Sequence, residues 1–291
     1  MLGARVLDGV MVVRDCVLVE FGWSEPYFEL PMLTDLKGRH VFIFGVWGRS
    51  STTALQRILN STGAICIWGE PGQLLMDDLL AAHAKLQDDP RRDQQLRNIQ
   101  KSFDRRDHTL DVSMAHADWR PALSNIRQAI LSMLAPVNGI QRFGYKEINV
   151  RGPETHAALR GLFPNSEHIF LFRDPVEQWK STLTMAAWRS YHDLDSYLEV
   201  VERNALAALE ADGIFLENRD VRDEARLRQL VEHLGLPAFD LKAMRKEVIA
   251  SKRRPQVAAP DAAAIQARLG KTFEMMCSRR DAFFSSLNAG P

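Results

Sequence analysis

Two short segments of the chain gather side chains able to grip a polyanion. The first is Gly45-Val46-Trp47-Gly48-Arg49-Ser50-Ser51-Thr52-Thr53, where an apolar run gives way to a helical pattern. A helix start leaves backbone N–H groups without intrahelical partners and carries partial positive charge, so phosphate is its natural occupant. Ser50, Ser51, Thr52 and Thr53 add hydroxyls, and Arg49 adds a charged fork. On the loop alone, a Ser/Thr helix cap with Gly48 making the turn fits equally well. The second segment is Arg173 to Ser181, eight residues apart, with Arg173 closing an apolar run and Ser181 inside the helical pattern that follows. Open α/β sheets place ligands at the carboxyl ends of their strands, which is where Arg173 falls. Taken alone, this segment also fits an arginine paired with Asp174 or Glu177.

The loop is not a kinase-type phosphate loop. The GxxxxGK[ST] pattern started at Gly45 would need glycine in place of Ser50 and lysine in place of Ser51. The Gly45–Gly48 spacing is also wrong for the GxGxxG dinucleotide fingerprint. What is left is a cradle for phosphate that lacks the phosphate lysine and an obvious set of magnesium ligands.

The stretch FGVWGRSSTTALQRIL resembles the 5′-phosphosulfate loop of PAPS-dependent sulfotransferases, where Arg-Ser-Gly-Thr-Thr opens the helix. Arg49, Ser50, Thr52 and Thr53 match, whereas Ser51 replaces the usual glycine and puts a side chain where backbone would approach phosphate. FPNSEHIFLFRDPVEQWKSTL resembles the 3′-phosphate-binding segment of the same family, with Arg173 and Ser181 as the matching pair. The two matches lie in the right order, about 120 residues apart, and the resemblance spans roughly residues 40–235. It implies 3′-phosphoadenosine 5′-phosphosulfate as co-substrate, with no metal, bound by Gly48, Arg49, Ser50, Ser51, Thr52, Thr53, Arg173 and Ser181. The expected arrangement is a pair of anion pockets, one at the start of each of two helices.

Within that resemblance, Glu70 in Gly69-Glu70-Pro71-Gly72 corresponds to the proton acceptor of tyrosylprotein and carbohydrate sulfotransferases. Lys146 in Phe143-Gly144-Tyr145-Lys146-Glu147 corresponds to the lysine that neutralises the leaving oxygen, a task shared with Arg49. Read without the family, Glu70 is an exposed loop acid and Lys146 pairs with Glu147. His83, His108 and His116 are alternative bases. The basic cluster Ser251-Lys252-Arg253-Arg254 could close over the nucleotide or be a solvated face. Trp179 and Trp188 read as core. The expected acceptor is a small-molecule, carbohydrate or peptide hydroxyl. The competing functions are a P-loop nucleotide kinase or hydrolase, which the missing lysine opposes, and a sulfotransferase-like binding protein without turnover, which Ser51 favours.

Positioning these groups takes alternating strands and helices. Residues 41–45 read as a buried strand, Ser51 to Asn60 as an amphipathic helix stopped by Gly63, and 64–68 as the next strand. Further strands are expected at 142–148, 167–172 and 213–217, with helices near 153–161, after Pro175, up to Gly235, and over 260–286. The fold class is α/β: a P-loop-like, three-layer arrangement with a central parallel sheet flanked by helices. An N-terminal strand pair (1–38) and a polar helical insertion (73–135), expected to wall the acceptor pocket, complete a single sulfotransferase-like domain over 1–291.

The bulk properties agree with this reading. Lys plus Arg and Asp plus Glu number 37 each in 291 residues, so no global cationic field favours nucleic acid or membrane surfaces. The three cysteines are scattered, which suggests neither a disulfide framework nor a metal knuckle. With no apolar run of membrane-spanning length, a cytoplasmic location is expected.

Overall fold

Hydrophobic alternation within the strands sorts the core into two faces. In Val41–Gly45 (β3), Val41 and Ile43 alternate with Phe42 and Phe44, and all four are fully buried. Glu167–Phe172 (β6) repeats the pattern, Ile169 and Leu171 against His168, Phe170 and Phe172, and so does Ile214–Glu217 (β7). Successive side chains of a strand point to opposite faces, so such runs belong to a sheet covered on both sides.

The computed structural model shows that sheet. It describes residues 5–7, 10–12, 39–70, 78–82, 97, 101, 120–134, 140, 142–148, 152–184, 193–240, 242 and 258–289. Five parallel strands run in the order β4-β5-β3-β6-β7, where β4 is Ile65–Trp68 and β5 is Arg142–Glu147. Ile43 is in register with Lys146 on one side and with Ile169 on the other.

The aliphatic face packs on α1 (Thr52–Asn60) through Leu55, Ile58 and Leu59, and on Leu227, Leu230 and Val231 of the helix Glu224–His233. The aromatic face packs on α3 (Pro153–Leu162), whose His156 ring lies edge-on to Phe44 and Phe170. Two more helices, α4 (Pro175–Leu183) and α5 (Leu194–Glu210), meet where Tyr197 Oη donates to the carbonyl of Pro175 at 2.8 Å. In chain order the helix Arg120–Leu134, from the insertion, is α2, Glu224–His233 is α6, and Ala259–Asn288 is α7. α7 passes the edge strand β7 and is anchored there by Arg280, which pairs with Glu217 at 2.5 Å.

The expected three-layer α/β fold is therefore the observed one, with all five main strands within a residue or two of their expected bounds. Chain contacts separate two units, Met1–Asp35 and Leu36–Pro291. In the first, Arg5–Leu7 (β1) and Val10–Val12 (β2) pair antiparallel. Most of the 73–135 insertion, His83, His108, His116, Trp188 and the cluster at 251–254 lie outside the described residues.

Candidate functional site

The crossover from β3 leads to β4 on one side of the sheet, and the connection from neighbouring β6 leads to β7 on the other. A crevice forms at the carboxyl ends of two adjacent strands whose connections diverge in this way. Three strand-end segments meet there. The Val46 N–H donates to Leu171 O at 2.9 Å, and the Asn218 N–H, just past β7, donates to Phe172 O at 2.8 Å.

The loop from β3 into α1 is tightly specified. A Cβ on Gly45 would stand 2.7 Å from Ser50 Oγ and 3.0 Å from Ile148 O, so that position has room only for glycine. Ser50 is buried and its hydroxyl donates to Trp47 O at 2.9 Å, so it braces the loop from within. Buried Gln178 of α4 donates through Nε2 to Gly48 O at 3.1 Å and Trp47 O at 3.4 Å, and accepts from Tyr197 Oη at 3.4 Å. The left-handed turns fall at Arg49 (φ 71) and Ser51 (φ 77), whereas Gly48 keeps an ordinary φ. The turn expected at Gly48 is thus made by two residues that carry side chains. Ser51 caps nothing with its hydroxyl, and the first turn of α1 holds no acid, so no carboxylate of its own opposes an incoming anion.

The second helix start differs from expectation. Asp174 Oδ1 accepts from the Glu177 N–H at 2.8 Å, and Pro175 occupies the first helical position. The start of α4 is therefore filled by its own cap and by the acid Glu177. Any anion at this segment would be held by side chains instead. Those side chains converge on the loop: Arg49 Nε donates to Ser181 Oγ at 3.2 Å, and Arg173 Nη1 reaches Arg49 O at 3.5 Å. Arg173 also lies 3.9 Å from Glu177.

On the other side of β3, Lys146 and Glu70 meet. Lys146 is buried at the end of β5, Glu70 is two residues past β4, and Lys146 Nζ donates to Glu70 Oε1. Trp68 Nε1 donates to Leu134 O at 3.2 Å, which ties the end of α2 to the strand that delivers Glu70. Thr52 is buried beside the loop and Thr53 is exposed. Trp179 is core, 4.8 Å from the Tyr197 ring.

Of the three buried histidines among the described residues, His40, His156 and His168, two are shifted strongly by their surroundings. Burial, reinforced by the Arg142 charge, pushes His40 down to about 4. Burial, with His156 and Arg160 nearby, pushes His168 down to about 2. At the amino ends of the strands, Arg39 and Arg160 border an open depression, but they are occupied by Glu167 (3.6 Å) and by the carbonyl of Asp212 (2.5 Å). Among the described residues, no group of three His, Cys, Asp or Glu could hold a metal ion.

The model of the Sulfotransferase family matches residues 40–240, from the start of β3 to just beyond α6. The chain belongs to the sulfotransferase family. Among solved structures, this sulfotransferase is similar to the sulfotransferase STF9 from Mycobacterium avium. The two share 14% identity with a TM-score of 0.41, over 81% of this chain and 76% of that one. A comparison with curated proteins returns no match. Two residues of the crevice carried no signal that sequence reasoning used. Gln178 looks like any polar helical residue, and Asn218 is marked only by its place after a strand.

Proposed function

We propose that this sulfotransferase moves the sulfuryl group of 3′-phosphoadenosine 5′-phosphosulfate to an acceptor hydroxyl. The observation that carries this reading is the convergence of Arg49, Ser181 and Arg173 where β3 and β6 end. Segments 124 residues apart in sequence then present two arginines and an uncapped helix start to one ligand with phosphates at both ends. The first N–H groups of α1 and Arg49 hold the 5′ end, with Thr52 and Thr53 alongside and Gly48, Ser50 and Ser51 shaping the loop. Arg173 and Ser181 hold the 3′-phosphate.

In the reaction the acceptor oxygen bonds to sulfur as the bond from sulfur to the phosphate oxygen breaks. The acceptor proton passes to Glu70, and 3′-phosphoadenosine 5′-phosphate leaves. Positioning plus cations does most of the work in such transfers. Lys146 neutralises the leaving oxygen, so its pairing with Glu70 describes a resting arrangement. Donor charge draws Lys146 away and exposes the carboxylate as base. A carbohydrate or peptide hydroxyl is the acceptor class that the Glu70-Pro71 resemblance favours, and α2, tied to β4 through Trp68, is the candidate wall of its pocket.

Titration calorimetry without metal tests the donor assignment. 3′-Phosphoadenosine 5′-phosphate should bind roughly 10- to 100-fold tighter than AMP, the equivalent of one charge-assisted hydrogen-bonded pair. Arg173→Leu should erase that preference. Equal affinity for the two nucleotides in the unmodified protein would refute the reading. Transfer of labelled sulfate to a panel of sugar and peptide hydroxyls then identifies the acceptor.

A further inference from the structure

Serine is among the strongest N-cap residues, because its hydroxyl accepts from the second or third N–H of the helix it precedes. Ser51 stands at the N-cap of α1 and does not do this. Its backbone is left-handed (φ 77, ψ 22) instead of extended, and its side chain caps nothing. The hydroxyl is engaged elsewhere, since the Asn218 side-chain amide donates to Ser51 Oγ. Asn218 is well placed to hold it. It is buried, and its own N–H is fixed on Phe172 O at 2.8 Å, so it reaches the loop from β7, across β6.

We propose that Asn218 is a positioning residue for the anion loop, holding the Ser51 hydroxyl off the first N–H groups of α1 so that the donor can take them. The inference rests on the donor reading above and adds to it. A glycine at the N-cap has no hydroxyl to compete with the ligand. Serine has one, and in the form adopted here it needs a partner that turns it aside. Asn218 thus makes a serine workable where the loop would otherwise call for glycine, and it does so without touching the ligand.

The test is a double-mutant cycle read by calorimetry with 3′-phosphoadenosine 5′-phosphate and, separately, ATP. Asn218→Ala lets Ser51 swing over the N–H groups of Thr53 and Ala54, and should weaken 3′-phosphoadenosine 5′-phosphate about fivefold, the equivalent of one cap hydrogen bond. In the Ser51→Gly background the same change should move Kd less than about twofold, because the competitor is gone. An equal loss in both backgrounds would mark Asn218 as a general brace of the fold and overturn the proposal, as would no loss in either. The unmodified protein gives a second readout that needs no variant. Amide exchange at Thr53 and Ala54 should be fast without nucleotide and slowed by it, and slow exchange without nucleotide means that Ser51 already caps the helix. If ATP alone binds and shows the Asn218 dependence, the donor reading falls and this inference stands. If 3′-phosphoadenosine 5′-phosphate binds without that dependence, the reverse holds, and if neither nucleotide binds, both fall.

Discussion

Acidification should unfold this protein through two histidines that lie far from its crevice. An ordinary histidine titrates near 6.5, whereas His40 is held at about 4 and His168 at about 2, both by burial first. Below about pH 6.5 the unfolded chain takes up these two protons and the native protein does not. Their contribution to stability is therefore complete above that pH and drains away as pH falls towards the folded values. Each site costs up to ~1.4 kcal/mol per pH unit, so by pH 4 each has removed about 3 kcal/mol, against a usual total of roughly 5–15. Glu217 and Asp220 act in the opposite sense, since burial raises both and the native state takes up their protons first, offsetting part of the loss. Urea unfolding at pH 7.5, 6.5, 5.5 and 4.5 measures the slope. His40→Phe keeps the 4.0 Å stack on Phe143 but gives up the ring's hydrogen bond to the Phe143 backbone, so the variant is compared with its own stability at pH 7.5. It should flatten the acid slope by ~1.4 kcal/mol per unit. Stability that stays level from pH 6.5 to 4.5, or a slope that His40→Phe leaves unchanged, would refute the reasoning. If it holds, the acid limb of a rate profile reports the core and must not be assigned to Glu70.

Three other outcomes are expected. Glu70→Gln should leave binding of 3′-phosphoadenosine 5′-phosphate within a few-fold and cut turnover by about 10²–10⁴ as a lost base would, and undiminished turnover would remove Glu70 from the mechanism. Lys146→Met should lower kcat far more than it raises the donor KM, and an effect confined to KM would reduce the lysine to a binding contact. Gly144→Ala would bring a Cβ within 1.7 Å of Val41 O, whereas one on Gly69 meets nothing within 4 Å. The first should therefore cost about 3 kcal/mol or more and lower Tm by on the order of 10 °C, with Gly69→Ala close to neutral by calorimetric melting.

The sequence revealed what local pattern determines. Val41 to Gly45 alternates aliphatic and aromatic residues because both faces of the sheet are covered, and Gly63 stops α1 with a left-handed φ of 69. Arg173 and Ser181 could be picked out because strand end and helix follow each other directly in the chain. Contacts across long stretches of chain were not legible. The Gln178–Tyr197 link and the Asn218–Ser51 pair join residues that show no periodicity relative to one another. Nor did composition show that Arg49 and Ser51 would carry the left-handed backbone while Gly48 did not, in a loop whose Trp47 and Gly48 carbonyls are held by the distant Gln178. At the start of α4, Asp174-Pro175 fits an open helix end as well as a self-capped one in sequence, and only the hydrogen bond from the Glu177 N–H to Asp174 tells them apart.

The straps between the ends of β3 and β6, from Val46 to Leu171, Arg49 to Ser181 and Arg173 to Arg49, limit how the protein can be re-engineered. A designer who trimmed the β6 end to accept a simpler nucleotide would slacken the grip at the β3 end too. If the clasp holds the proposed nucleotide donor, changing that donor requires rebuilding both hinges, and single replacements should lose affinity before they gain a new preference.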